Sequence, residues 1–337
     1  MLGRLLNRPR RGPVLDAEVE AQLEELVREN REDRDPERER EILKLRVRAG
    51  YALARQSGVR RDVIEPDYDS LDSNGPLPEA NADQVTAGMI RAAITRHGGI
   101  LVRGLVDSGK ASALAEEIDR AYAAREAFEN GGTPEDGYFE EFQPVVPGQS
   151  HPHHGPVKEG GGLLAIDSPK VAFEVFEMFG GGGIRGLVSD YLNEQPAVSD
   201  NKTTLRKTDP KIPGGWHQDG KFLGDVNSIN LWVALTHCGD DAPGLDLVPK
   251  RLDGIVEAGT GDEGFLRIVV PQEQAEQIAA PHGIVSPLFE PGDAMFFDHL
   301  YLHKTGSDPS QPNMRFALES WFFGPSAFPE EYAPVAC

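Results

Sequence analysis

From residue 197 onward the chain alternates between short apolar segments and stretches rich in glycine and proline. The apolar segments have the length and composition of β-strands, and many short strands separated in this way indicate a β-sandwich or barrel. This half of the chain therefore predicts a mostly β domain. The predicted strands cover residues 198–207, 230–236, 245–248, 265–269, 295–297 and 316–322, with a short helix or loop at 271–282.

The N-terminal part follows the helical period instead. Within residues 14–60, Val19, Leu23 and Val27 recur at helical spacing on a segment rich in Glu and Arg, which predicts a pair of helices with solvated faces. The stretch from Pro66 to Pro78 has the composition of a linker. The predicted division of the chain is a helical extension with its linker, residues 1–78, followed by the main domain, residues 79–330.

Helices are also expected at the start of the main domain, which makes the fold class α+β. Asn81 can cap a helix that runs to about Arg96. A short strand at 98–104 and further helices at 107–128, 168–179 and 184–192 follow from the spacing of their apolar residues. The N-terminal extension is expected to be an ordinary helical pair, and a homo-oligomer contact or a cap over the barrel is the alternative.

The chain is acidic, because its 337 residues carry a formal net charge of −21. Nucleic-acid-binding proteins present basic faces and anionic membranes attract basic segments, so both kinds of partner are disfavoured. The two cysteines offer no disulfide framework, and the basic N-terminus lacks the apolar core of a signal peptide. No apolar run is long enough to span a membrane. We expect a cytoplasmic protein whose partner is a small molecule.

Candidate metal ligands occur in the stretch Gly-Gly-Trp-His-Gln-Asp-Gly at 214–220. If this stretch is extended, His217 and Asp219 leave the same face about 7 Å apart at the backbone, close enough to converge on one ion. His303 ends an apolar run, and Arg315 opens another one twelve residues later. Two His and one carboxylate form the facial triad of non-haem Fe(II) oxygenases, and the planar fork of an Arg suits a carboxylate-bearing cosubstrate.

These motifs, in this order, resemble the phytanoyl-CoA dioxygenase family, a branch of the Fe(II)/2-oxoglutarate-dependent oxygenases. The resemblance extends over roughly residues 85–325. One segment departs from the family pattern, because Lys250-Arg251-Leu252 stands where Gly-Ser-His is usual. The motifs are Trp216–Gly220, Leu231–Leu235, Gly244–Pro249, Pro291–Phe297, His303 and Arg315.

The resemblance implies a fold and a reaction. The fold would be a double-stranded β-helix, a jelly-roll barrel with iron at one mouth. Fe(II) would be held by His217, Asp219 and His303. The reaction would consume 2-oxoglutarate and O2, release succinate and CO2, and hydroxylate or otherwise oxidise a small organic substrate.

The resemblance also implies how the cosubstrate is held. The far carboxylate of 2-oxoglutarate would lie on Arg315, and the Thr305 hydroxyl could add a hydrogen bond there. Trp232 would pack along the cosubstrate, although a plain core tryptophan is an equal interpretation. For Arg315 the alternative is a structural salt bridge with Glu319 or Glu290.

Two further alternatives stay open. The three ligands could bind Zn(II) in a β-barrel that is a hydrolase or a structural or binding protein, and such a protein has no need for a buried Arg facing the metal. His151, His153 and His154 invite a metal interpretation, but a loop with surface imidazoles, or a loop that covers the substrate, fits a single short cluster better.

Overall fold

The computed structural model of the chain describes residues 16–56, 63–71, 75–224, 226–257 and 269–337. Helices dominate the part before residue 193 and strands dominate the part after it. The helices are α1 (Ala17–Glu32), α2 (Pro36–Arg55), α3 (Ala87–His97), α4 (Ser108–Glu129), α5 (His154–Glu159), α6 (Pro169–Gly181), α7 (Ile184–Leu192), α8 (Gly220–Leu223) and α9 (Gln272–Ala279). The strands are β1 (Glu79–Asn81), β2 (Gly99–Arg103), β3 (Gly162–Leu164), β4 (Ala197–Thr208), β5 (Ser228–Ala234), β6 (Gly244–Leu247), β7 (Ala294–Phe297), β8 (His303–Gly306), β9 (Arg315–Phe323) and β10 (Pro334–Ala336).

The N-terminal helices form as predicted, and they pack onto the main domain. The Asp16 side chain caps α1, and Pro36 opens α2. α2 lies against α6 and β10, and its Leu43 and Val47 join the main hydrophobic core. At Gly50 the helix approaches β10 so closely that any side chain would clash with the strand backbone. The domain boundary at residue 78 stays a prediction.

A large sheet organises the main domain. Its strand order is β1-β2-β7-β5-β9-β4-β10, with β3 paired to β4 outside this path. Neighbouring strands from β2 to β10 are antiparallel, and among the described strands of this sheet the edge pair β1 and β2 alone is parallel. Side chains alternate between the two faces of the sheet. We call the face under the helices the outer face and the opposite one the inner face.

The outer face is apolar and covered. Ile229, Leu231 and Val233 of β5 and Leu318 and Phe322 of β9 pack in one core with residues of α3, α4, α6 and α7. All five are 0% exposed, so this layer excludes water completely. Burial of such side chains is the main stabilising contribution in a domain of this kind.

The inner face meets a small second sheet. β6 and β8 pair antiparallel, and single bridges at Leu247–Val285 and Cys238–Phe289 extend this layer. Leu245 and Leu247 of β6 pack into the same cluster as inner-face side chains. Two facing antiparallel layers of this kind make the double-stranded β-helix that the family resemblance implies, and the mixed α+β class is confirmed.

Most predicted elements form within a few residues of their expected bounds. One helix begins later than predicted: α3 starts at Ala87 and is capped by the Thr86 side chain, whereas Asn81 belongs to β1. The strand predicted at 265–269 lies outside the described residues except for Val269. No helix in the described ranges is long and apolar enough to cross a membrane.

Candidate metal centre

Two histidines far apart in sequence are held side by side by their backbones. His217 N donates to His303 O at 2.9 Å, and His303 N donates to His217 O at 3.1 Å, which makes an isolated antiparallel bridge. Their ring centroids lie 4.5 Å apart. The separation of the two rings is therefore set by main-chain hydrogen bonds between the segment around His217 and β8 of the second sheet.

Each imidazole is oriented by a backbone carbonyl two residues earlier. His217 Nδ1 lies 2.8 Å from Gly215 O, and His303 Nδ1 lies 3.0 Å from Tyr301 O. A carbonyl can only accept, so each Nδ1 carries the proton and each Nε2 keeps its lone pair. Burial lowers the pKa of His303, which favours the neutral ring that a metal ion requires.

Asp219 completes the group from a different backbone geometry than expected. Trp216 and His217 are extended bridge residues, but Asp219 has φ −65° and ψ −23° and opens the short helix α8. The extended prediction therefore holds only for the first half of the motif. The side chains still converge, because Asp219 Oδ1 lies 3.7 Å from His217 Nε2.

The three side chains present one set of converging ligand atoms. One atom from each of His217, Asp219 and His303 lies within 4.8 Å of the others. Asp219 Oδ2 is buried and has no hydrogen-bond partner among the described residues. Two imidazole Nε2 atoms and a carboxylate with a spare oxygen form a donor set that suits a divalent first-row metal.

Arg315 lies at the start of β9 on the inner face and is 2% exposed. Its Nη1 donates to Gly244 O at 2.9 Å and its Nη2 to Thr208 Oγ1 at 2.8 Å, while Nε has no partner in the described chain. These partners are neutral, and burial lowers the pKa of the guanidinium to about 10.

The two carboxylates considered for Arg315 bind other cations. Glu319 Oε2 accepts from Arg206 Nε at 3.0 Å and Nη2 at 2.8 Å, and Glu290 Oε1 lies 3.1 Å from His237 Nδ1. Within the described ranges no carboxylate forms an ion pair with Arg315. A buried cation with only neutral partners is expensive to keep, which favours an anionic ligand for it.

Trp232 lies beside Arg315, and Thr305 lies on β8 with His303. The Trp232 ring is 3% exposed, packs on Phe289 with centroids 4.8 Å apart, and has the Arg315 Cζ atom 5.4 Å from its centroid. Both interpretations of Trp232 thus fit its position, since it is a core residue that also flanks the guanidinium. Thr305 is half-buried on β8, two residues after His303 and so on the same face of that strand.

Sequence reasoning missed a charged row on the inner face. Arg206 lies on β4, where it pairs with Glu319. Lys202 of the same strand interacts electrostatically with Asp219 and Glu319. The signal was the period of two in β4, which places Lys202, Thr204, Arg206 and Thr208 on one face of the strand.

The histidine loop is held to its surroundings by one side-chain contact and one backbone hydrogen bond. His154 Nε2 lies 2.9 Å from Asp167 Oδ2, and the His153 backbone donates to Asn201 Oδ1 at 2.5 Å. Neither histidine belongs to a group of converging ligand atoms in the described chain. The loop is therefore held to Asp167 and to Asn201 of β4, and the surface interpretation fits it better than a metal site.

The segment that departs from the family pattern is also anchored. Arg251 pairs with Asp298, and Gln218, between the two ligands of the motif, donates to Gly254 O at 3.1 Å and Leu300 O at 2.6 Å. Gln218 Oε1 accepts from Val256 N at 2.7 Å. One side chain thus links residues 250–257 to the backbone beside His303.

A second cluster of possible ligands lies at the surface. His237, Asp240 and Asp241 also bring ligand atoms within 4.8 Å of one another. Both imidazole nitrogens of His237 face carboxylates, Asp240 at 2.7 Å and Glu290 at 3.1 Å, and these carboxylates raise its pKa. A protonated ring with two ion-pair partners is occupied without a metal.

Comparison with solved structures finds proteins of related shape at low sequence identity. EctD from S. alaskensis in its apoform is 16% identical, with a TM-score of 0.49 over 81% of this chain and 86% of that one. The epimerase SnoN in complex with Fe3+, alpha-ketoglutarate and nogalamycin RO is 17% identical, with a TM-score of 0.44 over 71% and 83%. The non-haem alpha-ketoglutarate-dependent carbocyclase SnoK is 16% identical, with a TM-score of 0.46 over 73% and 87%.

The family comparison covers most of the site. No curated protein matches the chain. The sequence profile of the phytanoyl-CoA dioxygenase family matches residues 94–317, which is more than half of the chain and includes His217, Asp219, His303 and Arg315. The chain belongs to the phytanoyl-CoA dioxygenase family, and its function is therefore of the dioxygenase type.

Proposed function

We propose that this protein is an Fe(II)- and 2-oxoglutarate-dependent dioxygenase that oxidises a small organic substrate and releases succinate and CO2. The observation that carries the proposal is one juxtaposition. His217, Asp219 and His303 offer converging ligand atoms, and a buried Arg315 without a carboxylate partner in the described chain lies on the facing layer. A metal that activates oxygen and a dianionic cosubstrate use these two features together.

The proposed metal ligands are His217, Asp219 and His303. The Nε2 lone pairs of both rings and the spare Oδ2 of Asp219 supply three donors, and the other coordination positions stay open for cosubstrate and O2. Fe(II) bound there would supply the redox chemistry of oxygen activation. The protein fixes the tautomers of both imidazoles, and burial lowers the pKa of His303, which favours its neutral form.

The proposed cosubstrate residue is Arg315. Nη1 donates to Gly244 O and Nη2 donates to Thr208 Oγ1, which fixes the plane of the guanidinium. The Nε–H has no partner in the described chain and stays available. A planar fork held in this way can bind the far carboxylate of 2-oxoglutarate. Trp232 would pack along the cosubstrate and Thr305 would add a hydroxyl donor near the carboxylate.

The zinc alternative differs in one testable respect. A Zn(II) hydrolase or a structural barrel could use the same three ligands, but it gives Arg315 no anion to bind. The buried Arg315 has no carboxylate partner in the described chain, and this supports the oxygenase over the zinc protein.

The test begins with the full-length protein under anaerobic conditions. Fe(II) and 2-oxoglutarate should together produce a visible metal-to-ligand absorption band, and admission of air should release succinate. Asp219→Ala should abolish the band and lower succinate release by at least about 10³-fold, the scale of losing an essential group in an active site. Iron content should fall in parallel.

The matched control is Asp240→Ala, which removes an exposed aspartate of the surface cluster. This variant should keep both the band and the iron. The proposal fails if Asp219→Ala keeps iron and turnover, or if 2-oxoglutarate never perturbs the spectrum of the loaded parent protein.

A further inference from the structure

The two ends of the inner face of β9 differ in their surroundings. Arg315 and Trp321 are on the same face of this strand, six residues and roughly 20 Å apart. Across the sheet, Trp321 lies opposite Asn230 of β5, which lies opposite Phe297 of β7. The Phe297 ring is 4.8 Å from the ring of His303. The end of the inner face far from Arg315 therefore adjoins the proposed metal centre.

Three side chains at this end contain buried polar atoms that lack partners. Asn230 is 0% exposed, Trp321 is 1% exposed and Ser228 is 5% exposed. Within the described ranges, Asn230 Oδ1 and Nδ2, Trp321 Nε1 and Ser228 Oγ form no hydrogen bond. Nearly all buried polar groups in folded proteins are hydrogen-bonded. Several neighbouring exceptions on one face indicate that a polar group of a ligand belongs there.

The hydrogen-bonding capacity of this patch is rich in donors. The indole of Trp321 can only donate, the Asn230 amide offers two N–H groups, and the Ser228 hydroxyl offers one more. The single obligate acceptor is Asn230 Oδ1. A compact group with several acceptor oxygens complements such a patch better than an amine, which could only donate.

Basic side chains also lie on the inner face. Lys202 and Arg206 of β4 and Arg315 of β9 interact electrostatically with Asp219 or Glu319. Hydrogen bonds to an ionised acceptor are stronger than bonds to a neutral one, so a carboxylate suits these donors better than a neutral carbonyl.

We propose that the prime substrate is a small organic acid whose carboxylate binds the donor patch of Ser228, Asn230 and Trp321. This inference rests on the proposed oxygenase function and adds the substrate class to it. Lys202, on the adjoining strand β4, contributes positive potential to the patch. The carboxylate would anchor the substrate beside His303, and the rest of the molecule would reach the metal.

The test uses full-length protein loaded anaerobically with Fe(II) and saturating 2-oxoglutarate. The probes are two matched pairs, benzoate with benzamide and butyrate with butyramide. An acid that binds beside the metal should perturb the metal-to-ligand absorption band. We expect at least one acid to bind about tenfold or more tightly than its amide, because bonds to a charged acceptor are the stronger ones.

Two variants locate the anion. Trp321→Phe keeps the ring but removes the N–H, and Ser228→Ala removes the hydroxyl. Each should weaken acid binding by about threefold to tenfold while the Fe(II)–2-oxoglutarate band itself persists. Ser189→Ala is the matched control, because its hydroxyl bonds to Glu194 O in a helix of the outer layer.

The outcomes separate the two claims. If no band forms with Fe(II) and 2-oxoglutarate, the proposed function fails and the substrate class fails with it. If the band forms but neither acid perturbs it, or each amide binds as well as its acid, the substrate class alone is wrong. Acid binding that is unchanged in both Trp321→Phe and Ser228→Ala also overturns it.

Discussion

The same strands build two unlike surfaces. On the outer face, residues such as Leu231, Leu318 and Phe322 pack under the helices with no exposed area. On the inner face, the alternate positions include the buried Arg315 and Asn230, which retain polar atoms without partners in the described chain. Adjacent residues of β5 or β9 therefore place their side chains on opposite sides, one in the apolar core and the next in the proposed active site.

The difference shows where stability and chemistry are placed. The outer face lowers the free energy of the folded state through apolar burial. The inner face raises it, because Arg315 is desolvated and its pKa is lowered to about 10. Natural proteins tolerate such local violations at functional sites when the rest of the domain compensates. Variants on one face should therefore change folding, and variants on the other should change binding.

The largest expected effect on folding comes from the outer face. Phe322→Ala should reduce the free energy of unfolding by about 3–5 kcal/mol, because it opens a cavity beside Phe179, whose ring centroid is 4.9 Å away. Chemical denaturation measures this change. Protein that remains folded should still bind iron and 2-oxoglutarate, and a loss of cosubstrate affinity without destabilisation would break the division between the faces.

Arg315→Lys should have the opposite profile. Lysine keeps the charge but lacks the planar fork, so the dissociation constant for 2-oxoglutarate should rise by about 10- to 150-fold, equivalent to roughly 1.5–3 kcal/mol. Iron binding should stay nearly unchanged. Anaerobic titration of the absorption band measures the constant, and equilibrium denaturation should show a smaller loss of stability than Phe322→Ala, because no large apolar side chain is removed.

The control for this substitution is Arg28→Lys, which alters an exposed arginine of α1 paired with Glu25 and Glu32. It should titrate like the parent. If Arg315→Lys and Arg315→Ala both titrate like the parent as well, 2-oxoglutarate is held elsewhere or is not the cosubstrate.

The smallest effect is expected in the loop around His154, where a change of pH should alter local stability. The loop around His154 joins Asp167, beside α6, to β4. The hydrogen bond to Asp167 raises the pKa of His154 above its usual 6.5, so protonated His154 stabilises the native loop. A raised pKa in the folded state means that this contribution is present below about 6.5 and is lost as the pH rises through the folded-state value.

Hydrogen exchange of the loop measures the effect. Residues 150–160 should exchange faster as the pH rises above 6.5, after correction for the intrinsic pH dependence of exchange. His154→Gln should remove that dependence and leave 2-oxoglutarate binding unchanged. A pH response that persists in the variant would assign it to another group.

Much of the architecture could be predicted from the sequence, because the hydrophobic period of each segment agrees with the capping and turn residues at its ends. The alternation in β9 and the helical stripes of α1, α2 and α6 are confirmed by the structure. The start of α3 was missed because Asn81 and Thr86 are both good helix caps, and the choice depends on the pairing of β1 with β2, a long-range contact. Local signals cannot decide between two capping residues when tertiary pairing does.

The site was partly readable for a different reason. His217, Asp219, His303 and Arg315 stand in a recognisable order, so their approach in space could be anticipated. The ion pair of Arg206 with Glu319 joins residues 113 positions apart, and only the register of β4 with β9 places them on one face. Asn230 and Trp321 likewise become neighbours through pairing, which no local pattern encodes.

The backbone bridge between His217 and His303 has a consequence for metal supply. Two main-chain hydrogen bonds, at 2.9 and 3.1 Å, fix the spacing of the two imidazole rings. Every first-row divalent ion therefore meets the same ligand geometry. Intrinsic affinity for nitrogen and oxygen donors rises from manganese through iron to copper, so a site of this geometry would bind several other divalent ions more tightly than iron. Occupancy by iron must then be decided by which ions are available when the chain folds.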